Sequence, residues 1–333
     1  MRRRLIALCA AVVTIAMLSG LPGLPGLSGL SKQPGLPGLS AVPAQPADIK
    51  IKPGKTPRGP DAGPRLDGSS IIDGDRKVPV PGNPIALVGA SDDAYIVTSG
   101  FRGGARLLRV DEDGSRVLAT AEEFDPTLSA DGTRIALADR KNRRTVTTVI
   151  SASTGQKVRR TTWAGSAYVL DFDGDRIVVA GPKRGYLWNL HTGRSRGIVR
   201  GALYVADLGA DRMAVAGKAP SKGRCETVST ITRPRTTHFR TCRDRVITFS
   251  DSGARMITGS RSADFTTVRL RTIGGKKLAS YTISRSNWNI EGPSFETDTT
   301  VLFTGYSGYL GAVYRCTVTA CERASKWLDN PYF

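Results

Sequence analysis

Histidine is nearly missing from this 333-residue chain, which holds only His191 and His238. Catalytic triads and zinc sites that need imidazole therefore have almost nothing to draw on. The chain also lacks a G-x-S-x-G elbow, an H-E-x-x-H pair and a P-loop, and Gly305-Tyr306-Ser307-Gly308 does not have elbow spacing. EF-hand-like spacing of acidic residues is absent too, so no calcium cage or other metal site can be read, and no cofactor is expected. Residues 85–325 show no 3.6-residue helical periodicity, which leaves strands as the building material. Acidic residues are outnumbered, 29 against 48 Lys and Arg, and none occurs before Asp48.

That acid-free start carries information. Arg2, Arg3 and Arg4 precede an apolar run from Leu5 to Leu18, the pattern of a secretory signal. Residues 1–20 are read as a signal peptide, with an uncleaved anchor as the alternative. Residues 21–47 repeat Leu-Pro-Gly and Pro-Gly-Leu, and the tract becomes Pro- and Lys-rich thereafter. Pro removes backbone donors and Gly loosens the chain, so residues 21–84 are expected to be a tether. Within it, Ile71–Ile72 and Val78–Val80 could add one strand to the domain that follows.

Cys9 sits inside the apolar run. The other four cysteines are an even number in a chain read as exported, so disulfides are expected. Cys225 and Cys242 bracket a segment whose midpoint falls at Arg233–Pro234, and Cys316 and Cys321 bracket TVTA. Each segment reads as a hairpin whose ends face one another, so the expected pairs are Cys225–Cys242 and Cys316–Cys321.

The body of the chain repeats itself. Residues 168–181 read YVLDFDGDRIVVAG and residues 204–217 read YVADLGADRMAVAG. Four looser copies align on the same aliphatic strand, giving Tyr95, Ile135, Ile177, Met213, Met256 and Val301 as equivalent positions. Each copy holds about four short strands in about 40 residues, joined by Asp- and Gly-rich turns, which is the pattern of a propeller blade. SADGTRIALAD resembles the signature of TolB-type propellers, and YLWNLHTGR resembles the third strand and turn of WD repeats. The expected fold is all-β, a six-bladed β-propeller over residues 85–328, with seven blades as the alternative. Trp188, Phe249, Tyr168 and Tyr204 are expected to fill spaces between blades.

A propeller sends successive loops to alternate faces. The turns between first and second strands hold Asp92, Asp93, Asp131, Asp173, Asp175, Asp211, Asp251 and Asp298. The loops between second and third strands hold Arg102, then Arg140, Lys141, Arg143 and Arg144, then Lys183 and Arg184, then Lys218, Lys222 and Arg224, then Arg261. One acid-rich face and one basic arc are expected. Asp belongs in tight turns for backbone reasons, whereas turn chemistry does not call for Arg. The residues from Arg140 to Arg224 are therefore the candidate partner-binding set, for a protein or an anionic envelope polymer.

The axial channel is a second candidate. Asp171 and Asp207 align at one repeat position, and Asp125 and Glu291 at another, so their carboxylates could gather around a polar ligand. The function expected is a non-catalytic binding or scaffold propeller, secreted or held at a bacterial surface and monomeric. The alternative is a glycan hydrolase or lyase using the channel carboxylates. Nucleic acid is disfavoured, because the basic loops lack interleaved aromatics.

Overall fold

The computed structural model of the protein describes residues 46–217, 225–261 and 266–329. Cys9, the apolar run, the tether up to residue 45, and Lys218, Lys222 and Arg224 lie outside the described residues. The architecture is all-β. Seven separate sheets follow one another along the described chain, and they are numbered here as blades 1 to 7. Blade 1 spans residues 65–79, blade 2 83–121, blade 3 125–164, blade 4 168–200, blade 5 202–241, blade 6 244–283 and blade 7 289–323. Within blades 2 to 7 the strands pair antiparallel in chain order, named a to d. The a strands of blades 2 to 7 pack successively side by side around the axis.

The core lies between blades. Ala136 and Val149 of blade 3 pack against Phe172, Ile177 and Trp188 of blade 4, and the next cluster joins Val178 and Ile198 of blade 4 to Leu203, Met213 and Val215 of blade 5. A single four-stranded sheet has two apolar faces and can cover neither by itself, so each blade depends on its neighbours. Trp188 and Phe249 are buried in these seams as expected. Tyr168 is not; it is 47% exposed, and the Arg140 guanidinium lies 4.6 Å from its ring centre.

The Ser-x-Asp-Gly turn explains how blades come so close. Ser129 Oγ donates to Asp131 Oδ1 at 2.6 Å, and Asp131 Oδ1 accepts from Thr133 N at 3.1 Å. Gly132 then takes φ +74°, and a Cβ there would stand 3.0 Å from the Ala90 carbonyl oxygen of blade 2. Gly253 of blade 6 repeats the arrangement at 2.6 Å from the Ala210 oxygen of blade 5. Glycine is required by both the backbone angle and the neighbouring blade.

Six blades was an undercount. The six sequence copies are blades 2 to 7, and the seventh sheet is Arg65–Asp67, Ser70–Asp73 and Arg76–Pro79, drawn from the stretch read as tether. It has only three short strands and buries few apolar side chains, chiefly Ile71, Val78 and Val80, against Tyr95, Val97, Leu108 and Val110 of blade 2. That small apolar content hid it. The Tyr95 hydroxyl donates to Asp73 at 2.7 Å and Arg76 pairs with Glu112 at 2.9 Å. The turn between the last two strands of blade 1 thus lies beside the ab and cd turns of blade 2. By direction the three strands follow b, c and d of the other blades, with no a strand among the described residues.

An N-terminal strap runs along blades 6 and 7. Ala47–Ile51 pairs in parallel with strand d of blade 6, and residues 57–62 run beside Arg323 and Ala324 of blade 7 before entering blade 1. Ile51 is 1% exposed and belongs to the core shared by blades 6 and 7. Both expected disulfides are present, Cys225–Cys242 and Cys316–Cys321.

Two stability outcomes follow. Ile51→Ala should cost about 2–4 kcal/mol through a cavity in the strap's seat, whereas Asp48→Ala, which removes an exposed pair with Lys277, should cost under about 1 kcal/mol. Urea unfolding of the two variants checks this ordering. Opening Cys225–Cys242, with sequence separation 17, should cost more than opening Cys316–Cys321, with separation 5. Loop-closure entropy gives about 3 against about 2 kcal/mol. Serine pairs, one at each bridge, measured by calorimetry would show it.

Candidate functional site

The alternation of loops gives the ring two chemically different faces. The ab and cd turns share one, here the turn face; the bc loops and the links between blades share the other, the loop face. On the turn face the aspartates are largely spoken for. Asp93 pairs with Arg109, Asp173 with Arg176 and Asp175 with Arg134 of the preceding blade. Asp211 accepts from the Thr232 amide and hydroxyl, and Asp298 accepts from the Ser252 amide. Hydrogen bonds to Ser252 hold the Asp298 carboxyl below its ordinary pKa. These acids serve turns and blade seams.

The basic arc divides in two. Arg140 is not available: its guanidinium binds Asp125 at 2.5 Å and Glu123 at 2.8 Å and lies over Tyr168. A candidate partner-binding residue and a candidate channel ligand, Asp125, thus neutralise each other. Lys141 lies 3.5 Å from Asp139, and Arg261 pairs with buried Glu226 at 2.9 Å. By contrast Arg143, Arg144, Lys183 and Arg184 are exposed and have no ion pair among the described residues. Asn142 and Arg143 form the two-residue bc turn of blade 3, at φ +48° and +62°. Such a turn favours Asn followed by Gly, so arginine at the second position is held against backbone preference.

These residues border a groove between blades 3 and 4 on the loop face. Its volume is about 640 Å³, and Gly165, Pro182, Lys183, Arg184, Tyr186 and Arg200 line it. Gly165 is held by its amide bond to the Arg143 carbonyl, which places the strained turn at the groove's edge. Tyr186 lies 5.3 Å from Trp163 across the seam, giving the groove an aromatic side. Arg200, the last residue of strand d, was missed from the sequence because only bc loops were counted. No carboxylate lines this groove.

The channel carboxylates do not converge as a set. The register shows why the alignment of Asp171 with Asp207 misleads. Asp171 stands opposite Val178 and Asp173 opposite Arg176, whereas Asp207 stands opposite Arg212. The ab turn of blade 5, residues 208–211, is two residues longer than that of blade 4, residues 174–175, so Asp207 takes the place of Asp173. Asp171 Oδ2 accepts from the Leu208 amide of blade 5 at 2.5 Å, and Asp207 Oδ1 accepts from the Ala210 amide at 2.8 Å. Both therefore tie down turn backbone, the reverse of what a glycan-cleaving pair requires. Glu291 is exposed in strand a of blade 7. No cluster of three His, Cys, Asp or Glu side chains suited to a metal occurs among the described residues. His238 Nε2 is bonded to the Thr230 hydroxyl at 2.9 Å.

No protein-family model matches the sequence, and no curated protein matches it. Solved structures do share its fold. The β-propeller domain of the Trilobed protease of Pyrococcus furiosus, described as having an open velcro topology, matches with a TM-score of 0.60 at 11% identity, over 84% of this chain and 98% of that one. An uncharacterised protein of Listeria monocytogenes matches with a TM-score of 0.52 at 14% identity, over 75% and 85%. The acylaminoacyl peptidase of Pyrococcus horikoshii matches with a TM-score of 0.55 at 13% identity, over 77% of this chain and 47% of that one. At such identities the likeness establishes the β-propeller fold and carries no activity with it.

Asp171 makes its own prediction. Burial, aided by the nearby Asp207 charge, pushes its carboxyl up from 3.8 to about 6. The folded state therefore binds this proton more tightly than the unfolded chain does, and stability falls as pH rises from about 4 to about 6. Asp171→Asn keeps an acceptor for Leu208 and removes the titration. It should raise stability at pH 7 by about 1–3 kcal/mol, at about 1.4 kcal/mol per pKa unit, and flatten the profile between pH 4 and 6. Thermal melts across that range read both effects.

Proposed function

We propose that this protein is an exported, non-catalytic binding propeller that holds an anionic envelope polymer against its loop face. The observation that carries the reading is the groove between blades 3 and 4, where Lys183, Arg184 and Arg200 meet without a carboxylate. Arg143 and Arg144 extend the same charge along its edge. Unpaired cations at a concave surface raise the local concentration of polyanions and speed their capture. Tyr186 adds a ring on which a sugar can lie, which favours an acidic glycan chain over a bare phosphate. The two disulfides are consistent with an oxidising, extracytoplasmic location. The strap strand Ala47–Ile51 runs parallel to strand d of blade 6 and so starts at the turn face.

The test uses the purified protein and cell-envelope fractions. Reversing Arg143, Arg144, Lys183 and Arg184 to Glu should abolish retention, and the unaltered protein should be released steadily by salt, since exposed charges are screened within about 8 Å at physiological ionic strength. Retention that ignores both changes would sink the proposal. Retention by protein-containing fractions alone would replace the glycan with an acidic protein. A single change separates binding from architecture. Arg143→Gly relieves the positive φ and should raise stability by about 1 kcal/mol while weakening retention.

A further inference from the structure

A second cavity opens on the loop face, where blades 5 and 6 meet. It has a volume of about 350 Å³, and Ala202, Tyr204, Ala216, Glu226, Arg245 and Arg261 are among the residues that line it. All of them stand at or near the loop-face ends of strands, Ala202 and Tyr204 in strand a of blade 5, Glu226 in strand c, and Arg245 in strand a of blade 6. Tyr204 is the extra residue of a bulge, since Leu203 faces Val215 and Val205 faces Ala214. A bulge turns a side chain out of strict alternation, and here it delivers a phenol ring to the cavity.

The charges around this cavity do not balance. Glu226 is buried, its side chain 5% exposed, and both oxygens are engaged, one by the Val246 amide at 2.7 Å and the other by Arg261 at 2.9 Å. Asp244, also buried, is bonded by Arg269 at 3.0 Å and by Arg271 at 2.6 Å. Two carboxylates thus serve three arginines. Arg245 is the fourth, and among the described residues its guanidinium has no carboxylate partner and lies 5.4 Å from the Tyr204 ring. The Tyr204 hydroxyl is itself buried, with Glu226 beside it. Burial and the adjacent Glu226 push its pKa up, so it keeps its proton. A planar fork fixed above a ring, beside alanine walls, is suited to a carboxylate carrying a compact body.

We infer that this cleft binds a small organic carboxylate, anchored by the Arg245 guanidinium, with its uncharged body against Tyr204, Ala202 and Ala216. The site shares no residue with the groove of blades 3 and 4, so either can fail alone. Two sources carry the same chemistry, a uronic acid unit and the carboxylate end of a peptide.

Titration calorimetry with four probes tests this: glucuronate, N-acetylalanine, and their uncharged counterparts glucose and N-acetylalanine amide. Saturable binding by one of the two carboxylates, and not by its neutral counterpart, is expected, and the one that binds names the source. Arg245→Gln, at an exposed position, should weaken that binding about tenfold or more, while Arg184→Gln leaves it unchanged. Absence of saturable heat at millimolar carboxylate, equal binding of a neutral counterpart, or an unaffected Arg245→Gln protein with an unchanged melting temperature would each overturn the assignment.

Discussion

The packing of one blade's face on the next is the constraint on which everything else depends. Among the described residues the apolar core clusters each lie between successive blades and hold side chains from both neighbours. No blade is finished until its neighbour is in place, so each depends on the next for its cover. The close approach also sets the local chemistry. Gly132 and Gly253 exist as glycines because the carbonyl of the preceding blade leaves no room for a Cβ. Asp171 is half-buried where it reaches across a seam to an amide of the next blade, and that desolvation makes it hard to ionise.

Among the described residues, no blade combines a and d strands from opposite ends of the sequence. The N-terminal segment instead lies along the outer edges of blades 6 and 7 before forming blade 1, so early residues seal the last two blades. The strap covers edge strands that would otherwise expose backbone groups to other chains. Blade 1 can then be slight, because Ile71 and Val78 need cover only part of blade 2.

A protein with a formal charge of +19 might be taken for a uniformly basic surface. It is not one. Arginines bind the turn acids, cross blade seams and lie over aromatic rings, as Arg134 does with Asp175 and Phe172. What distinguishes Lys183, Arg184, Arg200 and Arg245 is that none of them pairs with an acid among the described residues. Both concave sites on the loop face are defined by that surplus, which makes the distribution of pairing more informative than net charge.

The sequence by itself determined the repeat, the antiparallel hairpins, the two cystine pairs and the rule that alternate loops share a face. All of these are set by residues close together in the chain, where turn chemistry and side-chain alternation act. Only the tertiary structure decided that Arg140 is spent on Asp125, that Asp207 stands in the place of Asp173, and that Arg245 meets no carboxylate among the described residues. A longer turn slides one strand past its partner with no gap in the aligned sequence, and an ion pair joins side chains that hairpins bring together from distant positions. The seventh blade escaped notice for a related reason. A sheet of three short strands that borrows its cover from a neighbour needs too few apolar residues to announce itself.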